Sequence, residues 1–208
     1  MDASTWNERY RSSDRVWTGE PNSALVAFAP DPTPAGDDPA LALDLGCGEG
    51  ADALWLASRG WEVIGVDWAD VALDRARREA DRLGARARFE QADISDAPAL
   101  SALSPSGCFD LVTLAYIHPE PDDRPRLYSP MPTLVGPGGH LLVVAHAPEH
   151  AAHGFPGPDP HRLMAHEDTV AALSLPADCE ILVATTWPRE RDGVVVAIDS
   201  VVLVRRGG

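Results

Sequence analysis

The sequence predicts a doubly wound α/β fold, with a mostly parallel seven-stranded sheet, helices on both faces and an antiparallel hairpin at the C-terminus. Three observations carry this. From residue 41 onward, short apolar or β-branched runs alternate with helical stretches. The segments joining the first five runs are long enough for the crossovers that parallel strands require. The last two β-rich runs are parted only by Pro188-Arg189-Glu190-Arg191-Asp192-Gly193, with Asp192-Gly193 as the turn.

Taken in order, the first 29 residues hold three aromatics, Trp6, Tyr10 and Trp17, and an apolar stretch from Ala24 to Ala29. Asn22 or Ser23 is placed to cap a short helix there, a side-chain oxygen serving the free amides of the first turn. Residues 30–39 contain four prolines and two adjacent acids, the composition of an exposed connector. Strands are expected at Leu41–Leu45, Trp61–Val66, Ala87–Glu90, Phe109–Leu114, Gly139–Ala145, Glu180–Trp187 and Gly193–Val204. Ala51–Arg59 reads as helix, and so does Asp70–Gly84, where Val71, Leu73, Ala76, Ala80 and Leu83 fall at or near helical spacing and Gly84 ends the pattern. The architecture is Rossmann-like, and a ligand is expected at the carboxyl ends of the strands.

A chain of 208 residues, 45% hydrophobic and 24% charged, suits one soluble domain, residues 41–208, preceded by residues 1–40. Seventeen basic residues against 32 acids leave a formal charge of −15. Nucleic acid and anionic membrane are disfavoured partners, because affinity for phosphate comes largely from Lys and Arg displacing counterions. No apolar run reaches the roughly 18 residues of a membrane helix, and the polar N-terminus lacks the pattern of a signal peptide. Cys47, Cys108 and Cys179 form neither a disulfide framework nor a metal knuckle, so they are expected to be reduced and buried in a cytoplasmic protein.

Asp44-Leu45-Gly46-Cys47-Gly48-Glu49-Gly50 ends the first strand and opens the next helix. Glycines let the backbone turn sharply and admit a ligand to the helix's amino end. Gly46-x-Gly48-x-x-Ala51 also satisfies the dinucleotide fingerprint, so the neighbouring residues must choose the ligand. Asp44 would repel a pyrophosphate, at a cost of a few kcal/mol in a low-dielectric cleft, and would attract a sulfonium or an ammonium. Asp67, after the second strand, offers an acceptor for a ribose diol. Asp93 and Ile94, after the third, offer a carboxylate for an adenine amine and an apolar surface for its ring. Three acids at three successive strand ends favour a cationic nucleoside over a dinucleotide.

With these residues in view, the sequence resembles the class I S-adenosylmethionine-dependent methyltransferases. ALDLGCGEGADALWLASRGWEVIGVDWADVALDRA is similar to their first two motifs, EQADI to the adenine motif, FDLVTLAYIH to the fourth strand and PGGHLLVVAH to the fifth, over about residues 41–146. The resemblance implies S-adenosylmethionine as cofactor. Gly46, Gly48 and Gly50 would then shape the turn under the methionyl part, and Asp44 would help hold its amino group. Asp67 would bind the ribose, Trp68 and Ile94 would sandwich adenine, Asp93 would meet its amine, and the Ala115 backbone would contact the methionyl group. The segment TWNERYRSSDRVWTGEPNSAL resembles the small bacterial enzymes related to tellurite-resistance and thiopurine methyltransferases. By that resemblance Trp6, Tyr10 and Trp17 form an aromatic lid, and an aromatic face attracts a cation by about 0.5–2 kcal/mol. One departure is the crossover from Pro121 to Val135, where Pro125, Pro130 and Pro132 should leave the usual helix short or broken after Tyr128, since an interior proline costs roughly 3 kcal/mol.

His118 and His146 follow the fourth and fifth strands, where an acceptor would wait beside the methyl group. They are the candidate catalytic residues, because histidine takes up a proton near neutrality. The histidines at 146, 150, 153, 161 and 166 match no compact zinc spacing, and residues 154–160 read as a flexible loop that could cover a substrate. The expected reaction is in-line methyl transfer to a small-molecule thiol, chalcogen or hydroxyl, by a monomer or homodimer. Two alternatives stay open at this point: a nicotinamide-dependent oxidoreductase, and a non-catalytic cofactor-binding regulatory or metal-handling protein.

Overall fold

A computed structural model describes residues 3–33, 38–104 and 106–208; residues 34–37 of the expected connector and residue 105 lie outside it. Seven strands form a single sheet: β1 (Leu41–Leu45), β2 (Glu62–Asp67), β3 (Ala87–Gln91), β4 (Phe109–Ala115), β5 (Val135–His146), β6 (Cys179–Arg191) and β7 (Val194–Arg206). Their spatial order is β3-β2-β1-β4-β5-β7-β6. The first five are parallel, and β7 runs antiparallel to both neighbours. The order reverses between β1 and β4, the switch point at which such sheets open a ligand crevice.

Strand periodicity divides the core in two. Leu43, Leu45, Val112, Leu114, Leu141 and Val143 face one side with Leu100 and Tyr128; Ala42, Leu111, Leu142 and Val144 face the other with Leu56, Trp61 and Leu73. Helices cover both sides, which is why these strands read as nearly continuous apolar runs. In chain order the helices are α1 (Ala3–Arg11), α2 (Ser23–Phe28), α3 (Ala51–Ser58), α4 (Asp70–Leu83), α5 (Ala97–Ser101), α6 (Arg124–Tyr128), α7 (Pro148–Ala152) and α8 (His166–Leu173). Asn22 caps α2 by accepting from the Ala24 amide, and Gly84 ends α4 in the left-handed region.

The proline-rich crossover has the expected consequence: α6 stops at Tyr128, and a 3₁₀ turn over Met131–Leu134 leads into β5. Asp192 (φ 53°) and Gly193 (φ 76°) make the hairpin turn, two successive positive φ values that match the twist of the strands they join. Two expectations are corrected. β6 continues through Pro188 to Arg191 rather than ending at Trp187, and the proline is tolerated because β6 lies at the sheet edge and needs no donor on its open side. The three cysteines are unpaired but only half-buried. Among the described residues, no helix is long and apolar enough to cross a membrane.

Candidate active site

The carboxyl ends of β1, β2, β4 and β5 lie along one edge of the sheet, and the glycine turn follows β1 there. Gly46, Gly48 and Gly50 all have positive φ (71°, 52° and 84°). At Gly50 a side chain is excluded twice over, because a Cβ there would also meet Ala76 at 2.9 Å and Phe89 at 3.1 Å. The amides of Gly46 and Cys47 donate to the Val66 carbonyl, tying the turn to the end of β2. Asp67 completes the tie, accepting from the Gly48 amide at 3.0 Å and the Ala69 amide at 2.9 Å. Burial raises its pKa, and these amides oppose the rise.

Asp44 is 2% exposed. Its Oδ1 accepts from the Thr113 hydroxyl at 2.8 Å, while Oδ2 is buried with no partner among the described residues. Burial first, and then the nearby charge of Asp52, push its pKa up to about 8 against the hydrogen bonds from the Thr113 hydroxyl and the Ala53 backbone amide. Asp52, in the first turn of α3, accepts from the Asn22 amide and is itself held at about 6 by burial. A pair of buried acids with an unpaired oxygen is an unfavourable arrangement that an incoming cation relieves.

The N-terminal aromatics lie over this turn. A Cβ on Gly48 would stand 3.0 Å from the Tyr10 hydroxyl and 3.5 Å from Trp17 Nε1, and Trp17 Nε1 donates to that hydroxyl at 3.0 Å. Trp6 joins them at centroid distances of 6.0 and 6.2 Å, and the Arg9 guanidinium packs on Trp6 and Trp17. The segment is held by charge: Glu49 accepts from the Val16 and Trp17 amides and pairs with Arg75 at 2.7 Å, while Arg75 also binds the carbonyls of Tyr10 and Ser13.

On the β3 side, Trp68 is 36% exposed and Ile94 half-buried beside the core. Asp93 is exposed, accepting from the Ser95 amide and hydroxyl and pairing with Arg126 at 3.1 Å. Desolvation works against its ionisation, but these hydrogen bonds and the Arg126 charge win and hold its pKa below the ordinary value. Ala115 ends β4, and the next residue, Tyr116, has positive φ (55°), a conformation that redirects the chain away from the sheet.

The two candidate histidines have different surroundings. His118 Nε2 accepts the His146 amide at 3.2 Å, and its ring also hydrogen-bonds to the Tyr116 backbone. Burial, and then the neighbouring His146, push its pKa down to about 4. Its lone pair holds the end of β5 in place. His146 Nδ1 lies 3.0 Å from Oδ1 of the fully buried Asp199; the tautomer that donates from Nδ1 to this oxygen has Nε2 as its acceptor. Asp199 Oδ2 also accepts from the Tyr116 hydroxyl at 2.9 Å and lies 3.4 Å from Arg189 Nε. His150 stacks on His146 at 4.1 Å with both nitrogens engaged, by the Ile198 amide and the Pro156 carbonyl. Through that carbonyl the 154–160 loop is docked on His150. His161 instead pairs with Asp159 and Glu120 on the surface.

Glu49, Asp52, Arg75, Thr113, Tyr116, Arg189 and Asp199 also contact the candidate site and were not singled out from the sequence. Glu49 and Asp52 lie within or next to the glycine motif and could have been found there. The others come to the site only through strand register and helix packing.

Residues 42–139 match the family described as methyltransferase domain. A demethylmenaquinone methyltransferase of Thermus thermophilus is 38% identical over 112 residues, 53% of this chain and 49% of that protein, so the chain spans about half the length of this relative. A structure solved in work on the conversion of a disulfide bond into a thioacetal group during echinomycin biosynthesis superimposes with a TM-score of 0.75 at 22% identity, covering 99% of this chain and 92% of the other. TehB from Haemophilus influenzae superimposes at 0.60 with 17% identity, over 89% and 60%. At these identities the structural likeness is one of fold. Residues 42–139, just under half of the chain, thus match a methyltransferase domain, and the whole chain takes a fold shared with S-adenosylmethionine-dependent methyltransferases, whose methyl donor is S-adenosylmethionine.

Proposed function

We propose that this protein methylates a small-molecule nucleophile, a thiol, chalcogen or hydroxyl, by in-line displacement. The observation that carries the reading is the enclosed, half-partnered carboxylate of Asp44 beneath the glycine turn. The donor supplies an electrophilic methyl group on a sulfonium, together with an α-ammonium. Asp44 would receive the ammonium, and the turn of Gly46, Gly48 and Gly50 would let the backbone approach the methionyl part with the Ala115 carbonyl region opposite. Asp67 would take the ribose hydroxyls, Trp68 and Ile94 the faces of adenine, and Asp93 its amine. Trp6, Tyr10 and Trp17 would close over the donor and exclude water.

Alignment is the main service this reaction needs, and oriented reactants alone can supply about 7–11 kcal/mol of the barrier. For a hydroxyl acceptor, His146 Nε2 would take the proton while Asp199 steadies the ring; a thiolate needs no base. His118 acts as a positioning residue through the His146 amide. A pyrophosphate would face Asp52 and Asp67 and brings no cation to the buried Asp44, which weighs against the nicotinamide alternative.

The N-terminal resemblance supports a place among the tellurite-resistance and thiopurine-related enzymes, with residues 1–40 as lid and linker and 41–208 as one catalytic domain. The unpaired cysteines support a cytoplasmic setting, and the charge of −15 supports a partner other than nucleic acid. Titration with S-adenosylhomocysteine and with NADH, followed by a labelled-methyl screen of thiols, phenols and metalloid anions, tests the reading. Binding of the thioether and label in an acceptor support it; NADH binding alone, or a bound donor that never loses its label, contradicts it.

A further inference from the structure

We infer that the methyl acceptor carries an anionic group such as a carboxylate, and that Arg189 selects it. This rests on the methyl-transfer reading and names the acceptor's chemistry. Register places His146, Asp199 and Trp187 level with one another on β5, β7 and β6, so their side chains share a face, and Arg189 follows two residues along β6 on that face. Its guanidinium lies 5.2 Å from the Tyr116 ring centroid, beside the proposed base. Asp199, its one ion-pair partner among the described residues, already receives the Tyr116 hydroxyl at 2.9 Å and His146 at 3.0 Å. The Arg189 contact is the longest of the three, 3.4 Å, and Nε is buried without a hydrogen bond among the described residues. A cation so weakly engaged keeps most of its planar fork for a ligand, and that fork matches a carboxylate in two-point contact.

The field around the site makes the same demand. Asp52 and Asp67 lie on the donor side in a chain of net charge −15, so an anionic acceptor gains from a fixed cation on its own side. Arg189 supplies it. If Arg189 served only to compensate Asp199, its loss would disturb every acceptor alike; as a selector, its loss affects only anions.

The test is calorimetric titration of the S-adenosylhomocysteine-loaded protein with 4-hydroxybenzoate and 3-mercaptopropionate, each against its methyl ester. In the wild type the acids bind about 10- to 100-fold more tightly than the esters, as for a charge-assisted pair. R189Q abolishes that preference by weakening the acids alone, R189K recovers part of it, and both variants keep the wild-type affinity for S-adenosylhomocysteine. Equal binding of acid and ester in the wild type, a preference that survives R189Q, equal weakening of both, or binding of neither overturns the inference. Loss of the methyl-transfer reading is seen separately, as a wild-type protein that does not take up S-adenosylhomocysteine.

Discussion

The Thr113 hydroxyl donates to Asp44 Oδ1 at 2.8 Å, while Oδ2 of the same carboxylate is buried without a donor among the described residues. β4 thus steadies one half of the acid on β1 and leaves the other buried without a hydrogen bond among those residues. Asp44→Asn should weaken S-adenosylhomocysteine binding about tenfold or more, since it removes a charge-assisted acceptor. The same change should stabilise the ligand-free protein at pH 8. Asp44 has a folded pKa of about 8, above its ordinary 3.8, so its contribution to stability is intact below pH 4 and is lost as pH rises through 8. Thermal melts of both proteins at pH 5 and pH 8 check this: the variant should gain on the wild type as pH rises, and a constant difference contradicts it.

Gly48→Ala should loosen the lid. Its φ of 52° disfavours any side chain by about 1–2 kcal/mol, and the new methyl would crowd the Tyr10 hydroxyl at 3.0 Å. Gly84→Ala is the matched control, with φ 61° and open space around the Cβ. Near-ultraviolet dichroism should change in the first variant and not in the second; identical spectra would separate Tyr10 and Trp17 from the glycine turn.

Glu49→Gln should release the N-terminal segment. The Arg75–Glu49 pair is largely buried, and leaving its cation unpaired costs about 3 kcal/mol. Hydrogen exchange should quicken in residues 3–17 while the amides of β1 and β4 keep their protection, and donor affinity should fall. Unaltered exchange in that segment counts against the latch.

His146→Ala should lower kcat for a phenol acceptor by about 10²–10⁴ and leave a thiolate acceptor much less affected, because only the former needs a proton acceptor. Asp199→Asn should follow the same pattern more weakly. Nuclear magnetic resonance titration should find His118 neutral throughout pH 5–8, since burial holds its pKa near 4. Equal losses for both acceptors would reduce His146 to a structural role.

The parts of the fold legible in the sequence are those fixed by local chemistry. Apolar runs gave the strands, Gly84 and Asn22 the helix ends, Asp192-Gly193 the turn, and Pro130 the early end of α6, whereas Pro125 lies in the first turn of that helix, where a proline is tolerated. The end of β6 was missed because Pro188 looks like a break until its strand is known to lie at the edge. In the candidate site, the proposed donor half can be put forward from the sequence because one contiguous motif holds Asp44 and its glycines. The proposed acceptor half cannot: nothing in the sequence joins residue 199 to residue 146, and only the β5–β7 register brings them face to face. His118 and His146 look equivalent in the chain, and only the backbone amide that occupies His118 Nε2 distinguishes them.

The central claim, that a buried acid beneath the glycine turn awaits a cation, is tested most directly by counting protons. Calorimetric titration with S-adenosylhomocysteine at pH 7, repeated in buffers of different ionisation enthalpy, should show about one proton released per donor bound, as Asp44 passes from its neutral to its charged form. The release should disappear in Asp44→Asn. Binding without proton release in the wild type would contradict the account.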